Sequence, residues 1–400
     1  MKKILLGTTA LIGAATLLAG AASAEDPKVT VGGFSTFEAG YIKDNYDAGN
    51  RSVTFRNDNE IHFNVAGKTD AGLGYGAEVD LEADINGSSA ATPGSTNQGI
   101  TAHRTYGWLQ GDQWGHLEFG SNDGAARTLK IDASNIARAS GGIDGDSLLF
   151  ADVNVHNTAG ANLSNYSNLF AGSRSFITAP RLPVENGPAT GFASDVWGND
   201  DKITYYTPRF QGFQLGVSYA PSLADRGQNN TSFSDAAVDA SNILSGGINY
   251  ENQFDQIGVA AAVTGETAKA DASAGNNIEA WNAGLKLSYL GFSAAGSYGD
   301  WNDSFAASGT DAWYATGGLA YETGPVGASV TYLYSDTKPT GQDNKFQDVS
   351  VGVDYKLAPG LTPFVEYTWY DIDPTGGTAL SGAGAENKGN VVLVGSQLSF

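Results

Sequence analysis

The feature that most constrains this chain is a period-two alternation sustained over longer runs than a soluble sheet needs. Val349, Val351, Val353, Tyr355 and Leu357 alternate with Asp348, Ser350, Gly352, Asp354 and Lys356. Val326, Ala328, Val330, Tyr332 and Tyr334 do the same against Gly327, Ser329 and Thr331, as do Leu73, Tyr75, Ala77, Val79 and Leu81 against Glu78, Asp80 and Glu82. Ile61, Phe63 and Val65 oppose Glu60, His62 and Asn64. Such a period gives each strand one apolar and one polar face. The runs are about 10–12 residues long, close to the ≈ 9–11 tilted residues that cross a bilayer. A soluble two-sheet sandwich is built from strands of about five or six.

Beyond residue 24 no window of 18 consecutive residues is apolar throughout. A closed β-barrel is then the remaining way to span a membrane, since it satisfies every backbone group in lipid. The alternation predicts sixteen strands, near 29–42, 53–68, 72–84, 102–110, 115–121, 201–208, 212–220, 241–251, 256–267, 278–289, 292–302, 312–322, 326–336, 346–357, 361–371 and 389–400. Tight turns such as Asp70-Ala71-Gly72 and Gly324-Pro325 alternate with long polar stretches such as 85–101, 221–240 and 372–388. Short turns on one rim and long loops on the other suit an outer-membrane barrel. Tyr219, Tyr250, Tyr289, Tyr321, Tyr355 and Phe400 fall at strand ends, where interfacial girdles lie. The interval 121–200 breaks the hairpin rhythm, and a connection of that length is expected to be functional.

Lys2, Lys3, the apolar or small stretch Ile4 to Gly20, and Ala22-Ser23-Ala24 predict a Sec signal peptide over 1–24, cleaved after Ala24. The mature part, 25–400, reads as a single transmembrane barrel domain. The formal net charge of −21 argues against a nucleic-acid partner, because a polyanion needs basic groups to neutralise it. With no cysteine there is neither a disulfide framework nor a thiolate site.

Lys68-Thr69-Asp70-Ala71-Gly72-Leu73-Gly74-Tyr75, Arg104-Thr105-Tyr106-Gly107-Trp108-Leu109, Gly115-His116-Leu117-Glu118-Phe119-Gly120 and the terminal Phe400 appear in an order and spacing similar to those of Gram-negative general porins. The resemblance is to the sixteen-stranded trimeric diffusion porins of α- and β-proteobacteria, and it spans nearly the whole mature chain. It implies an all-β fold, a 16-stranded antiparallel transmembrane barrel whose long third loop folds inward. That loop would be 121–200. It also implies a homotrimer in the outer membrane, in contact with lipid and lipopolysaccharide, passing small hydrophilic solutes and ions. In such porins acidic loop residues face basic wall residues across a constriction. Arg104 matches the family's strand arginine, and Arg51 and Arg56 lie near the corresponding region.

The expected constriction and lining residues are Asp132, Asp144, Asp146, Asp152, Arg127 and Arg138 from the loop, with Arg104, Glu78, Asp80, Glu82, Lys286 and Lys356 from the wall. Asp354 and Glu366 share that polar face, where lumen water would spare these charges the need for partners. The expected function is a passive, cation-preferring diffusion channel. Its rivals are a channel preferring a sugar or another small solute, and a non-conducting structural or adhesive barrel. No catalytic constellation is apparent, so no enzyme activity and no cofactor are expected. Gly67-Lys68-Thr69 lacks the earlier glycine of a phosphate-binding loop, position 62 being His. His62, His103, His116 and His156 are too scattered in sequence to suggest a metal site. Asp144-Gly145-Asp146 offers oxygens to calcium but falls short of a full calcium loop.

Overall fold

The computed structural model describes residues 25–45, 51–83, 100–151, 154–156, 162–165, 176–186, 198–223, 240–270, 276–304, 311–338, 343–375 and 386–400. The expected signal peptide, 1–24, and Asp152 lie outside the described residues.

The chain opens with β1 (Glu25–Asp44), β2 (Val53–Lys68), β3 (Gly74–Glu82), β4 (Thr101–Gly111) and β5 (Gly115–Ser121). Then come helical turns α1 (Ala125–Leu129) and α2 (Ser147–Phe150), with 3-10 turns at Ala133–Ile136 and Gly142–Asp144 between them. A separate hairpin, β6 (Asn154–His156) and β7 (Asn162–Asn165), and α3 (Pro183–Asn186) complete that interval. The barrel resumes with β8 (Asp201–Tyr206), β9 (Phe213–Ser222), β10 (Ala240–Phe254), β11 (Ile257–Ala270), β12 (Ile278–Tyr289) and β13 (Phe292–Asn302). It ends with β14 (Ala312–Thr323), β15 (Val326–Thr337), β16 (Asp343–Tyr355), β17 (Leu361–Thr375) and β18 (Asn387–Ser399).

All strands except β6 and β7 form one closed antiparallel barrel, with β1 pairing to β2 on one side and β18 on the other. Each of the sixteen strands expected from the alternation is present, with ends displaced by a few residues at most. Ser121 pairs with Asp201, so β5 and β8 are neighbours and the wall closes without the long interval between them. The turn after β2 shows why the Gly67-Lys68-Thr69 segment is structural. The Thr69 N–H donates to the Leu73 carbonyl at 2.9 Å, and the Leu73 N–H donates to Thr69 Oγ1 at 3.1 Å.

The two strand faces differ as the period requires. On β15, Val326, Val330 and Tyr332 are exposed, whereas Ser329, Thr331 and Leu333 are buried. Phe55, Leu319 and Val365 belong to the same exposed apolar face around the barrel. An exposed apolar outside with a polar opposite face inverts the soluble rule, and lipid is the solvent that stabilises it.

Candidate functional site

Residues 122–151 and 176–186 lie against the polar face of the wall. Their backbone groups are satisfied by small wall hydroxyls and amides. The Ala125 and Ala126 N–H groups at the start of α1 donate to Ser218 Oγ on β9 (2.7 Å) and Ser245 Oγ on β10 (3.1 Å). Asn249 donates to the Leu129 carbonyl at 3.1 Å, and the Ala133 N–H donates to Thr316 Oγ1 on β14 at 3.2 Å. Farther on, the Arg138 N–H donates to Ser329 Oγ at 2.9 Å, and Thr368 on β17 donates to Ser147 of α2 at 2.9 Å. Phe150 then packs over Gly40 of β1. At Gly284 of β12 the wall must lack a side chain, because a Cβ there would collide with the Ile131 carbonyl.

The charged residues form a second layer at this seam. Arg104 Nε lies 2.8 Å from Asp80, and its Nη1 lies 3.4 Å from Asp123. Arg127 pairs with Asp123 at 3.3 Å and Glu185 at 3.5 Å. Arg138 grips both oxygens of Asp354, each contact at 2.8 Å, and reaches Glu322 at 3.4 Å. Arg181 holds Asp144 at 2.7 Å, while Arg56 of β2 pairs with Asp146. The two carboxylates considered for calcium are therefore each engaged by a different guanidinium. Asp132 is buried: it caps the 133–136 turn by accepting from the Ser134 N–H at 2.7 Å, and it lies 3.5 Å from Lys130.

The expectation that the wall charges need no partner is corrected for Asp80, Glu82, Asp354, Glu366 and Lys356. Water was expected to solvate them, but the loop and neighbouring strands supply counter-charges or donors instead. Asp80 has Arg104, Asp354 has Arg138, and Glu366 accepts from Ser140 (2.6 Å), Ser147 (2.7 Å) and the Gly142 N–H (3.1 Å). Lys356 lies just past the end of β16, exposed, and pairs with Glu322 at 2.7 Å. Glu82 lies 2.9 Å from His103. Glu78 stands opposite Tyr106 in the β3–β4 ladder, half-buried, and Lys286 is half-buried on the polar face of β12.

Outside the spanning strands, the loop charges respond to burial and to each other. Burial pushes the Asp123 carboxyl up, but Arg127, Arg104 and Lys202 outweigh it and hold the group below its ordinary range. Burial raises Asp200 to about 6, against the pull of Lys202. Asp132 is likewise raised by burial, despite Lys130.

Sequence reasoning did not assign Glu60, His62, His103, Lys130 or Arg181 to a site. His62 and His103 are far apart in sequence, yet both contact Glu60 at 2.7 Å. The alternation around residues 60–64 already placed Glu60 and His62 on one face, and extending it to Arg56 would have added that residue.

The family model for Gram-negative porins matches residues 7–375. An uncharacterized protein of Rickettsia bellii is 25% identical over 458 aligned positions covering all of both chains, and one of Rickettsia conorii is 24% identical over 473. Among solved structures, the anion-selective porin from Comamonas acidovorans superposes with a TM-score of 0.61 at 16% identity, covering 94% of this chain and 100% of that one. A triple mutant of the Rhodopseudomonas blastica porin gives 0.53 at 17%, covering 93% of this chain and 100% of that one. These likenesses concern the fold, which is the sixteen-strand barrel described above. With the family matched over most of its length, the chain belongs to the Gram-negative porins and is an outer-membrane channel rather than an enzyme.

Proposed function

We propose that the chain forms a water-filled passive diffusion channel for small hydrophilic solutes and ions, that it prefers cations, and that segment 121–200 lies in the lumen and narrows it. The proposal extends to a homotrimer delivered by a signal peptide cleaved after Ala24. Ala39, on the exposed face of β1 opposite Phe55, offers a small surface for close approach of a neighbouring barrel.

One observation supports the cation preference most strongly: Arg56, Arg104, Arg127, Arg138 and Arg181 at the loop–wall seam are each matched by a carboxylate. With these arginines neutralised locally, the acid surplus behind the net charge of −21 sets the sign of the field in a low-dielectric-walled passage. The Comamonas porin is anion-selective; the charge balance here argues for the opposite sign. The test is the reversal potential of purified protein in a planar bilayer across a potassium chloride gradient at pH 7. A potential of the sign set by potassium permeation is expected, and chloride preference rejects the charge argument.

A further inference from the structure

We propose that Glu60, Glu82 and His103 form a binding site for one divalent transition-metal ion on the polar face of the wall, with His62 and Asp80 supporting it. The site rests on local geometry and does not depend on the channel's ion preference. Glu60 of β2 and Glu82 of β3 are direct partners in their ladder. Between β3 and β4 the register shifts: Asp80 faces Arg104 and Leu81 faces Ala102, which leaves His103 as the extra residue of a β-bulge. A bulge re-aims a side chain that strict alternation would send elsewhere. Here it turns both His103 and Arg104 toward the polar face.

His103 is 8% exposed. Its Nδ1 lies 2.7 Å from one oxygen of Glu60 and 2.9 Å from one oxygen of Glu82. Two carboxylates thus converge on a ring nitrogen that carries at most one proton. The three donor atoms all lie within 4.8 Å of one another. In a tetrahedral shell with metal–ligand distances of about 2.0–2.2 Å, neighbouring donors stand about 3.3 Å apart. The cluster reaches that spacing if each contact opens by roughly half an ångström.

The surroundings have the form of a metal-site support. His62 Nε2 holds the other oxygen of Glu60 at 2.7 Å, fixing the carboxylate's orientation as outer partners of metal ligands do. Asp80 is fully buried; one of its oxygens meets Arg104, and the other has no hydrogen-bond partner among the described residues. Glu60, His62 and Asp80 also bring donor atoms within 4.8 Å of one another. Glu60, Glu82 and Asp80 bring three carboxylates to this cluster, and the guanidinium that meets Asp80, Arg104, is itself shared with Asp123. A dication offsets that excess charge. An imidazole with carboxylates suits zinc, iron or manganese, whereas calcium and magnesium take oxygen alone.

The test is calorimetric titration of chelator-treated, detergent-purified protein with zinc chloride. Wild type is expected to bind one ion per chain saturably. His103→Gln and Glu82→Gln, the latter close in shape to the native residue, should each weaken binding at least tenfold, and His62→Gln about tenfold, the lower end of outer-partner effects. His116→Gln removes a histidine paired with Glu118 at 3.0 Å outside the cluster, and should bind zinc as wild type does. Heat-modifiable gel mobility confirms that each variant retains the barrel. Four outcomes overturn the site: no saturable binding by wild type, wild-type affinity in both folded His103 and Glu82 variants, an equal loss in His116→Gln, or calcium competing as strongly as zinc.

Discussion

At the residue scale, two loop carboxylates give the loop–wall contact opposite responses to acid. Asp123 is held below its ordinary range by Arg127, Arg104 and Lys202, so its contribution to docking is present above about pH 4 and is lost as pH falls through its depressed value. Asp200, raised to about 6, binds its proton more tightly in the docked state than in a solvated one. Stability therefore decreases as pH rises from the ordinary aspartate value toward 6 and levels off above it. Together the two groups predict tightest docking near about pH 4 to 5. Hydrogen exchange of the 122–130 amides, corrected for intrinsic rates, should show the strongest protection there. Asp200→Asn, which imitates the protonated group, should reduce the change between pH 4 and 6 to the part that Asp132, also raised by burial, contributes, and leave the acid limb. A pH-independent protection profile in wild type contradicts this account of the two groups.

At the element scale, the loop is held by positions where the wall is small. Gly284 of β12 accepts the Ile131 carbonyl directly against its backbone. A valine there cannot be accommodated without displacing the loop, at a cost of about 1–3 kcal/mol for overpacking. The barrel ladder itself is untouched, so Gly284→Val should keep its heat-modifiable mobility while single-channel conductance rises. Unchanged conductance in a folded variant places the loop backbone away from the passage. The strands were legible in the sequence because a period of two repeats at every residue and is set by the two solvents on either side. The loop's path was not legible. Ser218, Ser245, Thr316 and Ser329 read as water-facing positions, and a serine on a strand looks the same whether it meets water or a loop amide. The β-bulge escaped for a similar reason: one extra residue shifts the parity of His103 without altering composition, so it hid the pairing of two histidines through Glu60. Asp132 was visible as an acidic loop residue, but its burial depends on the neighbouring Lys130 and on the turn that it caps.

At the scale of the whole molecule, the apolar exposed face, the polar opposite face and ladder closure between β1 and β18 describe a wall whose two sides contact different solvents. Sixteen strands enclose more space than wall side chains can fill, and segment 121–200 occupies part of it in the proposed arrangement. The proposed trimer places three such passages in one particle. The most direct test is single-channel recording of purified protein in a planar bilayer in symmetric potassium chloride. The account predicts ohmic steps that insert together and resolve into three equal sublevels, one for each chain. Insertion without conductance contradicts a water-filled channel, and solitary unit steps contradict the trimer.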